Sequence, residues 1–440
     1  MRWARLLLLC RAAVALAQEP APAPRADPAA TAAPTTTAAP PAEAPAPAAS
    51  ATSPGDSPAA PAAGVPTSPS VETFGIRWTF FGELVINANY NTATMVVGSI
   101  PGFVQIRSAA TTSQFNVSPG NTFLGVTATP PRFGPVQLQA RFDMDFRSNA
   151  PYLNENAFLP LVRNLYLEAS WSRLRILGGQ ASDVLSPRSA ASLNFYPLSF
   201  IPGDLGDYRP QIRVEWRQPV SDVFEMDFQT AIAQAVQTFQ VSGSVQGTQT
   251  GLPDFQAHVG LAFGPERPDG GPRLFECGVA GHIGRRQVVL QDTGAPPPGE
   301  VRQYSTWSFV ADGSLRLGES TLIEGEYFIG QLLGDYSGAI LQTVDPVKKV
   351  PIRARGGWVQ VTQQIGPRWT VHAGFGTDDP FDQDLATAER RTNTTVFTNA
   401  IFRIIGGLRV GLELSWWATQ WVDNPTANSF RVETAVLYAF

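Results

Sequence analysis

The stretch Val136-Gln137-Leu138-Gln139-Ala140-Arg141-Phe142-Asp143-Met144-Asp145-Phe146 decides the fold class. Its even-numbered residues are all apolar, and its odd-numbered residues between Gln137 and Asp145 are all polar or charged. An extended chain turns successive side chains to opposite faces, so this segment is a strand with one apolar and one charged face. The same period recurs at Ile212, Val214 and Trp216 against Arg213, Glu215 and Arg217. It recurs at Phe224, Met226 and Phe228 against Glu225, Asp227 and Gln229, and at Leu408, Val410, Leu412, Leu414 and Trp416 against Arg409, Glu413 and Ser415.

Many such segments run 10–14 residues. That exceeds the five or six usual in globular strands and suits a tilted strand crossing a membrane. Short connections (Ser172-Arg173, Gly318-Glu319-Ser320, Gly366-Pro367, Gly406-Gly407) alternate with long ones (91–120, 183–208, 237–254, 291–303, 335–351, 377–393). Short turns on one side and long loops on the other are the rhythm of an up-and-down outer-membrane barrel. About sixteen strands are expected, with fourteen or eighteen as the alternatives, at 78–90, 121–129, 136–146, 162–171, 174–182, 209–218, 224–236, 255–264, 274–289, 304–317, 321–333, 352–365, 368–376, 394–405, 408–422 and 429–440. Gly356-Gly357 is read as a phase shift, a bulge in its strand. The last strand carries Val436, Tyr438 and Phe440 on one face, the form of a signal read by the bacterial barrel-assembly machinery.

The 440 residues divide into three parts. Residues 1–17 join a positive start, the run Leu6–Leu9 and an Ala15-Leu16-Ala17 site, which together describe a secretory signal peptide. Residues 18–70 hold 19 Ala and 14 Pro and no aromatic residue. Proline at that density forbids a continuous helix, so this is a disordered periplasmic linker reaching about 160 Å if fully extended as polyproline II. Residues 71–440 form the barrel. An even strand number puts both termini on the periplasmic side.

Composition removes other classes. A net charge of −5 offers no general attraction to nucleic acid. Two cysteines, Cys10 and Cys277, make neither a disulfide scaffold nor a thiolate metal site. The three histidines, His258, His282 and His372, stand beside no hydrolase, metalloprotease or phosphate-binding motif, so no enzyme, cofactor or metal is expected. Charged residues make up only 16 % of the chain, because a face against lipid carries charge at high cost. Trp78, Trp171, Trp216, Trp307, Trp358, Trp369, Trp416 and Tyr438 are expected at strand ends or on the lipid face.

Sixteen strands enclose an aqueous lumen rather than a packed core. The inward face is expected to present Glu83, Asp143, Asp145, Glu168, Glu215, Glu225, Asp227, Glu324, Glu326, Glu413 and Glu433. Against them stand Arg141, Arg175, Arg213, Arg217, Arg316, Arg353, Arg355, Arg409 and Arg431. Most of these charges are expected to pair across strands. The segment 183–208 is too apolar for a solvated loop, with Leu193, Phe195, Tyr196, Leu198, Phe200 and Ile201, and is expected to fold into the barrel and narrow it.

The run Leu174-Arg175-Ile176-Leu177-Gly178-Gly179-Gln180-Ala181-Ser182-Asp183, the loop after it, and Arg209-Pro210-Gln211-Ile212-Arg213-Val214 resemble the DcaP-like trimeric porins. About 50 residues carry the likeness closely, and the strand rhythm carries it over the barrel. Two departures are Ala181, where the family places an aromatic residue, and the Ala/Pro segment in place of an N-terminal coiled coil. The resemblance implies a homotrimer with Arg209, Arg213, Gln180 and Ser182 near a constriction. With the neighbouring charges, the constriction candidates are Arg141, Arg175, Gln180, Ser182, Asp183, Arg188, Arg209, Arg213 and Arg217. The function expected is an outer-membrane porin passing small polar or anionic solutes, with lipid and the assembly machinery as its other partners. The alternative is a structural, anchoring barrel with a plugged lumen.

Overall fold

The computed structural model describes residues 68–96, 101–106, 112–148, 159–193, 201–236, 244–246, 250–290 and 300–440. The expected signal peptide, the linker up to residue 67 and loop residues 194–200 lie outside them.

The described residues form a closed antiparallel barrel of sixteen strands. They are β1 (Ile76–Asn91), β2 in two runs (Gln114–Ser118 and Phe123–Thr129), β3 (Gln137–Ser148) and β4 (Leu159–Trp171). Next come β5 (Leu174–Ser182), β6 (Tyr208–Ser221), β7 (Phe224–Ala233) and β8 in two runs (Ser244–Gln246 and Asp254–Phe263). Then follow β9 (Phe275–Leu290), β10 (Glu300–Leu317), β11 (Thr321–Gln331) and β12 (Arg353–Ile365). The last four are β13 (Trp369–Pro380), β14 (Arg390–Ile405), β15 (Leu408–Trp421) and β16 (Asn424–Ala439). Each pairs with the next in sequence, and β16 pairs with β1, from Glu83 with Ala439 to Asn91 with Arg431. Closure leaves no open edge, which is the condition for a sheet in hydrocarbon.

On the seam, β1 runs past the end of β16 toward the short-turn side. A leading run, Ser70–Thr73, folds back through Phe74-Gly75 and pairs with Ile76–Thr79. The backbone of Phe440 exchanges hydrogen bonds with Gly82 just above it. Val436 and Tyr438 face outward there, each nearly half exposed.

The alternation holds around the wall. Leu84, Leu167, Ile212 and Ile283 stand exposed on the outer face, while their neighbours Glu83, Glu168, Arg213 and His282 are buried inside. An apolar belt of this extent is stable only against an apolar medium.

Four expectations need correction. The long loop expected at 91–120 contains a strand run, Gln114–Ser118, which pairs with the upper part of β1. Gly356-Gly357 causes no phase shift, since the register of β12 with both neighbours is continuous. Because the phase never changes, Trp358 points inward rather than to lipid, packing with Ala190, Ile201 and Phe397. By the same parity Arg353 and Arg355 lie at the outer rim, paired with Asp384 and Asp379, and not on the inner face.

Candidate functional site

The long loops leave the end of the barrel opposite Ser70 and Phe440. Loop L3 (183–207) joins β5 to β6, and its described residues, 183–193 and 201–207, fold inward. A backbone leaving a sheet loses its ladder partners and needs others. The inner wall supplies them from side chains. The Val184 N–H donates to Gln256 Oε1 at 3.0 Å. Ser186 Oγ and the Arg188 N–H donate to the two oxygens of Glu326 at 2.6 and 3.0 Å. The Ala191 N–H donates to Gln360 Oε1 at 2.8 Å. Ser192 and the Leu193 N–H donate to Glu413, and Asn87 Nδ2 donates to the Leu193 carbonyl at 2.9 Å. The described part of L3 therefore follows the inner wall from β8 round to β1.

Glycine makes the return path possible. A Cβ on Gly203 would lie 2.2 Å from the Gly357 carbonyl oxygen, and one on Gly376 would lie 2.2 Å from that of Pro202. L3 here rests backbone on backbone against β12 and β13.

Arg188 is the charged anchor of L3. Its Nε donates to Asp312 Oδ1 and its Nη2 to Glu276 Oε2, each at 3.0 Å. Burial works against its charge, but Asp312 and Glu276 outweigh that and hold the guanidinium protonated above its ordinary range. His258 Nε2 lies 3.0 Å from the other Asp312 oxygen.

The two ends of L3 meet at a second cluster. Asp183 pairs with Arg209 at 2.6 Å and accepts from Gln256 Nε2 at 2.6 Å. Arg209 is fully buried, 3.8 Å above the Tyr336 ring, and donates to the Asp335 carbonyl at 3.0 Å. Arg286 grips Asp254 with two bonds of 2.7 Å and reaches Asp335 at 2.5 Å. Tyr336 Oη donates to Asp254 Oδ2 at 2.6 Å. Burial pushes the Asp183 carboxyl up to about 6, against the downward pull of Arg209. Burial also raises the Tyr336 hydroxyl well above its ordinary value, so it remains a donor.

Asp335 and Tyr336 belong to loop L6 (332–352), which also folds inward. Leu333, Tyr336 and Ala339 join Leu185 and Leu205 of L3 in one buried apolar cluster with Val310, Phe328 and Ala354 of the wall. Part of a third loop, between β1 and β2, docks on β14 and β15. The Val104 N–H donates to Thr419 Oγ1 at 2.9 Å, and Asn393 Nδ2 donates to the Gly102 carbonyl at 2.9 Å.

The wall of β3 to β6 carries four arginines and four carboxylates in pairs. Arg141 bonds Asp143 at 2.7 Å and lies over Phe81. Arg163 lies near Asp145 and donates to Tyr208 Oη at 2.5 Å. Arg175 holds Glu168 at 2.6 Å and Glu215 at 2.8 Å. Arg213 bonds Gln211, Glu215 and the Ser182 carbonyl.

The structure thus brings Ser182, Asp183, Arg209 and Arg213 together at the root of L3, with Arg188 farther along it. It separates the other candidates from them. Gln180 has the outer parity of β5, opposite to the buried Leu177 and Ala181, and donates to the Val162 carbonyl at 2.6 Å. It is therefore not a lumen residue. Arg175 and Arg217 sit beside the short turn 172–173, and the Arg217 N–H donates to the Arg173 carbonyl. At about 3.3 Å per residue, Arg175 lies on the order of 20 Å along β5 from the start of L3. Arg141 belongs to the wall pairs.

Arg163 escapes sequence reasoning because it is a bulge. Asp143 faces Asn164 and Met144 faces Val162, so Arg163 has no cross-strand partner, and both Arg163 and Asn164 turn inward. Asp254, Arg286, Asp335 and Tyr336 were equally missed. Only the inward path of L6 joins them, and no periodicity encodes a loop's path.

No family model and no curated protein matches the chain. Solved structures do. The outer membrane channel DcaP of Acinetobacter baumannii matches with a TM-score of 0.65 at 16 % identity, over 84 % of this chain and 99 % of that one. An anion-selective porin from Comamonas acidovorans matches at 0.53 and 12 %, over 83 % and 100 %. The outer-membrane OmpT of Vibrio cholerae matches at 0.53 and 13 %, over 84 % and 100 %. The chain has the fold of the outer-membrane porins.

Proposed function

We propose that this protein is an outer-membrane porin through which small polar or anionic solutes and ions diffuse passively, without catalysis. The observation that carries this is a long loop seated inside a closed barrel, facing a wall of alternating arginines and carboxylates. Such a lumen offers charge of both signs to a hydrated solute, and the loop limits its size. Ser182, Asp183, Arg188, Arg209 and Arg213 are the constriction residues of this reading. The chain assembles as a homotrimer in the outer membrane of a Gram-negative bacterium. It is exported by residues 1–17, tethered on the periplasmic side by 18–70, and recognised for assembly through Val436, Tyr438 and Phe440.

The alternative, an anchoring barrel with a plugged lumen, draws on one observation. Parts of three loops, not one, pack inside. Planar-bilayer recording separates the two. Purified, refolded protein is expected to insert as stepwise channels, in groups of three. Persistent silence of well-folded protein favours the plugged barrel instead. Reversal potentials in a panel of small anions and cations give the selectivity.

A further inference from the structure

Segment 333–343 of L6 is almost wholly enclosed, yet it joins the wall through no strand ladder. The Ile340 N–H donates to Asp378 Oδ2 at 2.7 Å, and its carbonyl accepts from Arg390 Nε at 3.0 Å. Gln342 exchanges two bonds of 2.9 Å with the Arg390 backbone. The other polar ties are the Asp254–Arg286–Asp335 pairing, the Arg209 bond to the Asp335 carbonyl and the Tyr336 hydroxyl, beside the apolar contacts of Leu333, Tyr336 and Ala339 with Val310, Phe328 and Ala354 of the wall. The polar ties all run through side chains, and water could satisfy their groups.

The backbone of the segment is held in an unfavourable form. Leu332, Ser337, Ala339, Ile340 and Leu341 all have φ between 51° and 65°. Left-handed backbone is rare for residues with a Cβ, and a β-branched isoleucine adopts it least readily. Three in a row persist only where the surroundings impose them, and such strain gathers at moving or working parts. The segment is also compact at its root: a Cβ on Gly334 would lie 2.7 Å from the Gln342 carbonyl oxygen.

L6 shares its seat with L3. The Gly206 N–H donates to the Tyr336 carbonyl at 2.9 Å, and Arg209 lies on the Tyr336 ring. On the far side the Tyr336 ring meets the His282 ring at 4.3 Å.

We propose that L6 is a second, displaceable constriction of the pore, seated by Asp335 and Tyr336 against Arg209, Arg286 and Asp254. In the seated state it narrows the lumen beside L3. In the displaced state the left-handed run relaxes, and His282 and the inner faces of β9 and β10 open to water. The proposal rests on the channel reading above.

The test excises Asp335–Gln342, joining residues that already lie side by side. Excision leaves Arg209 with Asp183 and Arg286 with Asp254, so the charges stay balanced. Two readouts are used on full-length protein whose folding is checked by heat-modifiable electrophoretic mobility. The first is single-channel conductance, expected to rise several-fold. The second is the reaction of His282→Cys, in a background with both Cys10→Ser and Cys277→Ser, with a charged, membrane-impermeant maleimide. That thiol is expected to react slowly with L6 intact and fast after excision, with Tyr336→Ala in between. Tyr336→Ala also carries the test if the excised protein does not fold.

Equal conductance and equal thiol reactivity in all variants overturn the proposal. A silent wild type with a conducting excised form upholds it and replaces the open porin with a closed one. Silence of both removes the channel reading; a thiol that then still reacts slowly with L6 intact upholds L6 displacement, and one that reacts only after excision overturns it.

Discussion

Asp183 is where burial and ion pairing pull in opposite directions, and burial prevails. Its carboxyl titrates near 6 in the folded protein against an ordinary 3.8. A raised acid favours folding in its neutral form. That contribution is complete below about 3.8 and is lost as pH rises through about 6, a loss of about 3 kcal/mol by linkage. In detergent, the thermal midpoint of the wild type is expected to fall over that window relative to Asp183→Asn. A constant difference between the two proteins from pH 3 to 8 would contradict the assignment. Arg188 makes the opposite case, a cation that several carboxylates require. Arg188→Ala leaves Asp312 and Glu276 facing one another without it and is expected to cost about 3–5 kcal/mol. Reversal potentials should then shift toward cations, and an unchanged potential would mean that this cluster lies off the ion path. Of these charges, Asp183, Arg188, Arg209 and Arg213 were legible in the sequence because they flank or occupy a loop that stands out from the strand rhythm. Arg163 was not, because a bulge adds one residue and breaks the parity by which inward residues are recognised.

The strands were legible as elements because each divides two solvents. Their alternation is a local property, and it survives whatever the loops do. Loop paths are different. L3 was expected inside from its apolar content, but its route depends on a strip of the wall without side chains. Gly376, whose Cβ would meet the Pro202 carbonyl, and the Gly357 carbonyl lying against Gly203 provide that strip, and the sequence suggested only a bulge there. Gly376→Ala places a methyl against the Pro202 carbonyl and is expected to cost about 1–3 kcal/mol. Hydrogen exchange at residues 201–206 should accelerate while the strands stay protected. Unchanged exchange in that segment would show that L3 does not depend on the strip.

For the whole molecule, closure is the governing fact. β16 reaches β1 along nine paired positions, and Phe440 adds the last backbone exchange with Gly82. Deleting Phe440 is expected to lower the amount of folded protein in the outer membrane without changing the conductance of the molecules that assemble. Normal outer-membrane levels would argue against a terminal assembly signal. The sequence alone determined the sheet, a count of about sixteen strands, the two-faced wall and the expectation of a constricting third loop. Those features follow from which residues tolerate lipid and which require water, a choice made residue by residue. Tertiary structure alone decided which loops fold inside, that Tyr336 and Asp335 meet Arg209 and Arg286, and that Trp358 faces inward. Those outcomes depend on contacts between residues distant in the chain, such as Arg209 with Asp335, 126 positions apart, and Val104 with Thr419, 315 positions apart, whose partners become neighbours only once the barrel has closed.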